Sequence, residues 1–337
     1  MDEPTDNRLI VSLTSYPARI ATLHLTLETI YAQTRKADEV VLWLAREQFP
    51  EGEDELTNEL CEFIGEGKLN LRWCDDLKPH KKYFYALQEY EHDLVVTIDD
   101  DMLYPEYILE NLYQSYLQYP TAVSAIRGHY MVISEKGKVM PYQDWIREVH
   151  AVIHEPSMQL FATGVGGVLY PPGIFDKRLF DKQAIINTCL WADDLWLKTM
   201  ELICDVPVVI VQEFEEMNYI PGSQKEALCH TNMYRNQNDV QWEKINAWVD
   251  EHYEKGLLTK KLTETNIGVN LLGIETFCMY LRKQKQVQSE QNRNRVKKLQ
   301  EENKRLNKEL NALEQKNPVL RTLSLIKKKI RRYIGKN

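Results

Sequence analysis

Apolar residues along the chain fall into short uninterrupted runs separated by segments of helical spacing. Leu9-Ile10-Val11-Ser12-Leu13 ends at Thr14-Ser15-Tyr16-Pro17, the pattern of a buried strand running into a loop. Ile20, Leu23, Leu27 and Ile30 then recur at helical spacing across residues 20–34. Val40 to Leu44 predicts a second strand, residues 53–65 a helix, and Leu69 to Trp73 a third strand. The polar loop Asp75 to Pro79 follows, then a helix over Tyr83 to Glu91 and a fourth strand over Asp93 to Ile98.

Strands alternating with helices over the first hundred or so residues predict an α/β fold with a mostly parallel central sheet. Ligands of such sheets bind beyond the carboxyl ends of the strands. That rule singles out Thr14 to Arg19, Leu44 to Arg46, Asp75 to Lys82 and Asp99 to Asp101. Further on the pattern is mixed: a helix at 106–118, short strands near 122–133, and an apolar, glycine-containing segment at 160–171. A helix over 192–203, a strand over Val206 to Val211 and helical residues 242–282 close the body.

The last segment has a different period. Val296, Leu299, Asn303, Leu306, Leu310 and Leu313 form an a/d heptad seam with one Asn at an a position, a pattern that pairs helices in register. The alternative is one amphipathic helix packed on the body. The expected organisation is a nucleotide-binding domain over 1–250, a helical closing segment over 251–282, a coiled coil over 283–316 and a basic amphipathic tail over 317–337.

Composition changes this picture in two ways. With 337 residues, 43% hydrophobic and 27% charged, the chain reads as globular, which excludes collagen-like and wholly disordered classes. The net charge of −8 is unevenly spread. Residues 317–337 carry seven basic side chains and no acid, and residues 283–316 carry ten bases against five acids. That leaves 25 bases and 45 acids, a net of −20, on residues 1–282. An acidic body is a poor partner for nucleic acid. Six scattered cysteines without a Cys-x-x-Cys pair, a polar start and no long apolar run predict a cytoplasmic protein.

Candidate chemistry lies at the predicted strand ends. Asp99-Asp100-Asp101 follows the fourth strand, and three adjacent carboxylates repel unless a cation or donors compensate them. Hard oxygen ligands suit Mg²⁺ or Mn²⁺. Asp193-Asp194 precedes an apolar helix, where it either favours the helix dipole or supplies a general base. Gly164-Val165-Gly166-Gly167 is a tight core turn or a ligand-facing loop, and fits neither a P-loop nor a dinucleotide fingerprint. Arg19, Lys78, Lys81 and Lys82 are cations beside these loops, and His230 is the histidine that stands out.

In order along residues 8–240, these features resemble the GT-A glycosyltransferases, particularly the family 2-like enzymes of bacterial surface-polysaccharide synthesis. The matching residues are Thr14 to Arg19, the Asp99–Asp101 run in place of Asp-x-Asp, Gly164–Gly167, and Asp193-Asp194 at the position of the family's acidic base. The resemblance implies a Rossmann-like GT-A domain and a nucleotide-sugar donor held by Thr14, Tyr16, Arg19 and Asp76. Lys81 or Lys82 would face the diphosphate, and Asp99 and Asp100 would line the donor site. It further implies a divalent ion at Asp101 with Asp99 and His230, an acceptor side at Gly166 and Gly167, and Asp194 or Asp193 as base. The acceptor would be a glycan or a lipid-linked glycan, and a single displacement would invert the anomeric centre. A metal-dependent nucleotidyl or phosphoryl transferase, or a non-enzymatic coiled-coil scaffold, are the competing readings.

The tail adds a membrane expectation. Leu323, Ile326, Ile330 and Ile334 share one stripe flanked by lysines and arginines, the pattern of a cationic helix lying on anionic lipid. Each base near such a surface contributes about 1 kcal/mol, and pairing of chains through the coil would double the tails. The full chain is therefore expected to co-sediment with anionic but not neutral vesicles, in a salt-sensitive manner. A chain ending at Lys316 should lose that binding; equal partitioning of the two removes the idea.

Overall fold

The structure is a computed structural model that describes residues 7–134, 136–149, 155–211, 218–223 and 237–264, together with Lys304. The chain divides into a unit over residues 1–274 and a second over 275–337. The heptad segment, the basic tail and His230 lie outside the described residues, apart from Lys304 in the heptad segment.

Eleven strands are described: β1 Leu9–Thr14, β2 Glu39–Ala45, β3 Asn70–Cys74, β4 Leu94–Thr97, β5 Met102–Leu103, β6 Val123–Ala125, β7 Gly128–Tyr130, β8 Leu160–Ala162, β9 Val168–Tyr170, β10 Val208–Ile210 and β11 Asn218–Tyr219. Seven form one sheet in the order β10-β6-β9-β4-β1-β2-β3. The apolar runs at 9–13, 40–44 and 94–97 lie at its centre because a parallel strand covered on both faces has no solvent face to keep polar. β3, at the edge, is only half-buried.

All pairings within β4-β1-β2-β3 are parallel, as is β10 with β6. β9 breaks the pattern and runs antiparallel to both β4 and β6. The apolar segment at 160–171 is therefore not one strand. β8 pairs with β7 in a separate two-stranded sheet, and β9 joins the main one. A single helical turn at Gly164–Gly166 and Gly167, at a φ of 93° that favours glycine, redirect the chain between the two.

Helices at Leu23–Tyr31, Asn58–Gly65 and Ile108–Gln118 bury Leu23, Leu27, Ile30, Leu60, Leu109 and Leu112, each less than 3% exposed, in the main core. The first helix and Gln33 just beyond it also fix the turn after β4. Thr26 Oγ1 donates to the carbonyls of Asp100 (3.1 Å) and Met102 (2.9 Å), and Gln33 Nε2 donates to Pro105 O at 2.6 Å. The helix predicted over Tyr83 to Glu91 is two short turns, Lys81–Phe84 and Ala86–Glu89. The closing region comprises helices at Gln237–His252 and Leu257–Glu264.

Helix Asp193–Ile203 is pinned to β8 by a hydrogen bond from Lys198, whose ion pair within the helix the sequence pattern does not announce. Lys198 Nζ donates to Leu160 O at 2.7 Å and to Glu201 Oε2 at 3.1 Å, and both side chains are almost wholly buried. Removing one partner of such a pair leaves an uncompensated charge in the core. Glu201→Ala should lower stability by about 3–5 kcal/mol, whereas the double replacement Lys198→Met with Glu201→Leu should recover most of the loss. Urea denaturation measures both. A double variant as unstable as the single one would show that the pair's charge is not what matters.

Candidate active site

The carboxyl ends of β1, β3 and β4 open into one cavity of about 710 Å³, within the size range of small-molecule sites. Thr14, Tyr16, Arg19, Asp76, Lys81, Lys82, Asp99, Asp100, Asp101, Asp193 and Asp194 all line it. Three of the four segments singled out by the strand-end rule are therefore brought together. From the fourth, Leu44 to Arg46, no residue lines the cavity, and Gln48 just beyond it does.

The three adjacent aspartates have separate environments. Asp100 reaches the wall, but both its oxygens are engaged: Ser15 Oγ donates to Oδ2 and Arg19 Nη1 to Oδ1, each at 2.5 Å. Burial raises the Asp100 pKa despite these donors. Arg19 Nη2 lies 3.0 Å from Asp101 Oδ2, so one guanidinium bridges two carboxylates. Burial alone would lower the Arg19 pKa, but Asp100 and Asp101 outweigh it and hold the value above the ordinary one. Asp99 is the most open of the three; its Oδ1 accepts from Lys82 Nζ at 2.7 Å, and its backbone N–H donates to Tyr104 Oη at 2.8 Å. The repulsion expected within the triplet is thus relieved by the chain's own Ser15, Arg19 and Lys82.

Lys82 is the centre of the site. Its buried ammonium also lies 3.0 Å from Asp193 Oδ2. Desolvation would lower its pKa, but Asp193, Asp99 and Asp194 push it well above the ordinary lysine range. Its neighbour Lys81 turns elsewhere, donating to Asp76 Oδ1 at 3.2 Å and Gln48 Oε1 at 3.3 Å. Asp76 also accepts from Lys78 and from Gln48 Nε2. Partial burial would raise the Asp76 pKa, yet these donors, Lys78 first, bring it below the usual carboxylate value.

The aspartate pair at the start of helix Asp193–Ile203 is split by its surroundings. Against the burial that opposes it, the charge of Lys82 holds Asp193 below the usual range. Asp194 is pushed well above it, first by burial and then by the charge of Asp193. Its Oδ1 accepts from the Gly164 N–H at 3.2 Å. Two carboxylates whose environments drive their proton affinities apart are the usual mark of an acid–base assignment. Behind them, buried His80 bridges Tyr83 Oη (2.8 Å) and Cys189 O (2.9 Å) through its two ring nitrogens, and burial lowers its pKa to about 4.

Asp99 and Asp101 alternate along the chain and both face the cavity. Among the described residues no group of three His, Cys, Asp or Glu side chains could hold a metal by itself. The donor set fits an ion that takes one or two carboxylates and completes its shell with substrate phosphates and water, as Mg²⁺ commonly does.

Gly166 and Gly167, expected on the acceptor side, do not line the cavity. A Cβ at Gly166 would press on Ile126 and Arg127 at 3.1–3.2 Å, and one at Gly167 would point at Ile108, Leu112 and Ile98 in the core. The glycine that faces the chemistry is Gly164. Residues absent from the sequence reading, Arg127, His129, Tyr142, Arg147, Phe161 and Trp191, also line the cavity. Their only sequence signal is their place between β6 and helix Asp193–Ile203; no local motif marks them.

A Cβ at Gly164 would lie 2.7 Å from Lys82 Nζ and 3.3 Å from Asp194 Oδ1. The lysine is pinned at both sides, so Gly164→Ala should destabilise by about 1–3 kcal/mol, the ordinary cost of overpacking. Gly65→Ala, where a Cβ meets open space at a helix end, should be neutral or slightly stabilising. Thermal melting compares them, and equal melting temperatures would contradict the crowding at Gly164.

No protein-family model and no curated protein matches the chain. Among solved structures it is similar to the mannosyltransferase PcManGT from Pyrobaculum calidifontis in complex with GDP-Man and Mn²⁺, at 15% identity over 83% of this chain and 78% of that one, with a TM-score of 0.46. It is also similar to residues 1–349 of TarS from S. aureus in complex with UDP-GlcNAc, at 14% identity over 77% and 71%, with a TM-score of 0.45. A third likeness is to 4-diphosphocytidyl-2C-methyl-D-erythritol synthase, at 10% identity over 66% and 96%, with a TM-score of 0.37. At these identities and scores no residue role passes from those proteins to this chain.

Proposed function

We propose that this chain transfers a sugar from a nucleotide-sugar donor to a hydroxyl of a glycan or lipid-linked glycan, in the manner of the GT-A glycosyltransferases, with Mn²⁺ or Mg²⁺ as cofactor. The observation that carries this reading is the meeting in one cavity of two sets of carboxylates: Asp99 and Asp101 after β4, and Asp194, with its raised proton affinity, at the start of helix Asp193–Ile203.

Thr14, Tyr16, Arg19 and Asp76 would hold the nucleoside end of the donor, and Asp99 and Asp101 would hold the ion at its diphosphate. When bound, the ion stabilises negative charge on the departing phosphate as a Lewis acid. Asp194 takes the proton of the acceptor hydroxyl as its oxygen bonds to the anomeric carbon. The bond from that carbon to the diphosphate oxygen breaks with its electron pair going to the nucleoside diphosphate, so one displacement inverts the centre. Lys82 keeps Asp193 ionised, and that charge raises the proton affinity of Asp194. Residues 283–316 would pair two chains, and residues 317–337 would bring them to an anionic membrane surface on its cytoplasmic side.

Titration with UDP-, GDP- and CDP-sugars in the presence of Mn²⁺, beside ordinary nucleoside triphosphates, tests the reading; turnover of triphosphates alone would support a nucleotidyl or phosphoryl transferase instead. Asp194→Asn should retain donor binding and lose about 10²–10⁴-fold in turnover. The base works only when deprotonated, so activity should fall as pH drops through a pKa above the usual carboxylate value of roughly 4. Asp193→Asn removes the neighbouring negative charge and should move that acid limb to lower pH. A crippled Asp193→Asn beside a nearly normal Asp194→Asn would reverse the assignment.

A further inference from the structure

The order of the strands gives the cavity a direction. Asp76 follows β3, Thr14 ends β1 and Ser15 to Arg19 follow it, Asp99 to Asp101 follow β4, Gly164 precedes β9, and Arg127 follows β6. At roughly 4.8 Å per strand, β3 and β6 stand about 24 Å apart, and β4 and β6 about 10 Å. The wall beyond Asp194 is thus one to two sugar rings from the carboxylates after β4 and far from the nucleoside end.

That wall is aromatic and cationic. Tyr142 lies against His129 (ring centroids 5.9 Å apart) and Phe161 (6.2 Å), and Trp145 packs behind both Tyr142 and Phe161. Ring faces of this kind cover the apolar face of a sugar. Burial lowers the His129 pKa to about 3, so the imidazole is neutral, consistent with its Nδ1 accepting the Glu148 N–H at 3.2 Å. Two arginines complete the wall. Arg127 is ion-paired with Glu148 at 3.1 Å. Arg147, half-buried, sits over the Tyr142 ring at 5.8 Å and makes no ion pair among the described residues. Glu148 itself is held at a φ of 56°, a left-handed conformation uncommon for a residue with a side chain, and so turns the chain between Arg147 and the core.

Arg19, Lys78, Lys81 and Lys82 lie against Asp76, the acids after β4 and Asp193, and Arg127 lies against Glu148, whereas Arg147 makes no ion pair among the described residues. We infer that this wall is the acceptor subsite and that the acceptor sugar carries an anionic group, a carboxylate or a phosphate ester, which Arg147 receives while the ring rests on Tyr142. This rests on the glycosyltransferase reading above. A planar guanidinium binds either anion through paired N–H donors, and such charge-assisted bonds are about twice as strong as neutral ones.

The test is binding to the full chain saturated with nucleoside diphosphate and Mn²⁺. The probes are methyl glucoside, methyl glucuronide and glucose 6-phosphate, followed by calorimetry. At least one anionic probe should bind about tenfold or more tightly than the neutral glucoside, a gain in the range of a charged hydrogen bond; which one identifies the source of the charge. Arg147→Gln should abolish that preference with little change in glucoside affinity, and Arg147→Lys should restore part of it. Equal binding of all three probes, binding of none, or a preference unaltered in Arg147→Gln would overturn the inference. Failure of the chain to bind any nucleoside diphosphate beforehand would instead count against the glycosyltransferase reading.

Discussion

A lysine ammonium held almost entirely out of water, between Asp99 and Asp193, is the constraint around which the candidate site is arranged. Desolvating one such ion costs several kcal/mol, so Lys82 is stable there only while its carboxylates stay close and ionised. The same need runs outward into the fold. Ser12 Oγ in β1 donates to the backbone carbonyl of Lys82 at 2.5 Å and accepts from Trp43 Nε1 at 3.0 Å, which ties the lysine's turn to two central strands. Gly164 has no side chain because that space is filled by the ammonium and the Asp194 carboxylate.

One cation placed among three acids gives them different partners. Asp99 and Asp193 touch it and Asp194 does not hydrogen-bond to it, so Asp194 bears the repulsion of the cluster without an equal share of the compensation. Arg19 performs a parallel task on Asp100 and Asp101. Neutralisation by the chain's own side chains lets the acids sit in a partly dry cavity, where electrostatic effects on a reacting group are larger than in water. The arrangement also separates structural from chemical duty: Asp100 has no free oxygen, whereas Asp99 keeps a face towards the cavity.

The antiparallel strand β9 is what extends this centre into a site with two ends. Inserted between β4 and β6, it brings the Gly164 turn over Lys82 and sets the β6 exit, with Arg127, beyond it. The excursion between β6 and β9 supplies the aromatic and cationic wall, so the part of the chain with the least regular pattern forms the far half of the cavity.

The parallel core and the part of the cavity at the ends of β1, β3 and β4 were legible from residue order alone. A buried parallel strand leaves an uninterrupted apolar run, and the residues that follow it fall at the sheet's carboxyl edge, so Leu9–Leu13 and Leu94–Thr97 located Thr14 and Asp99, and the edge strand at Leu69–Trp73 located Asp76, without coordinates. Local pattern carries no information about partners distant in sequence. It could not show that Asp100 turns to Ser15 and Arg19, that Lys82 rather than Lys81 meets Asp99, or that Gly164 rather than Gly166 and Gly167 faces the cavity. Those choices depend on which way a side chain or a Cβ points once strands roughly 70 to 85 residues apart, β1 with β4 and β4 with β9, are paired, and burial then sets the proton affinities. The direction of β9 belongs to the same class, because three apolar residues read alike in either orientation and only their neighbours β4 and β6 decide it.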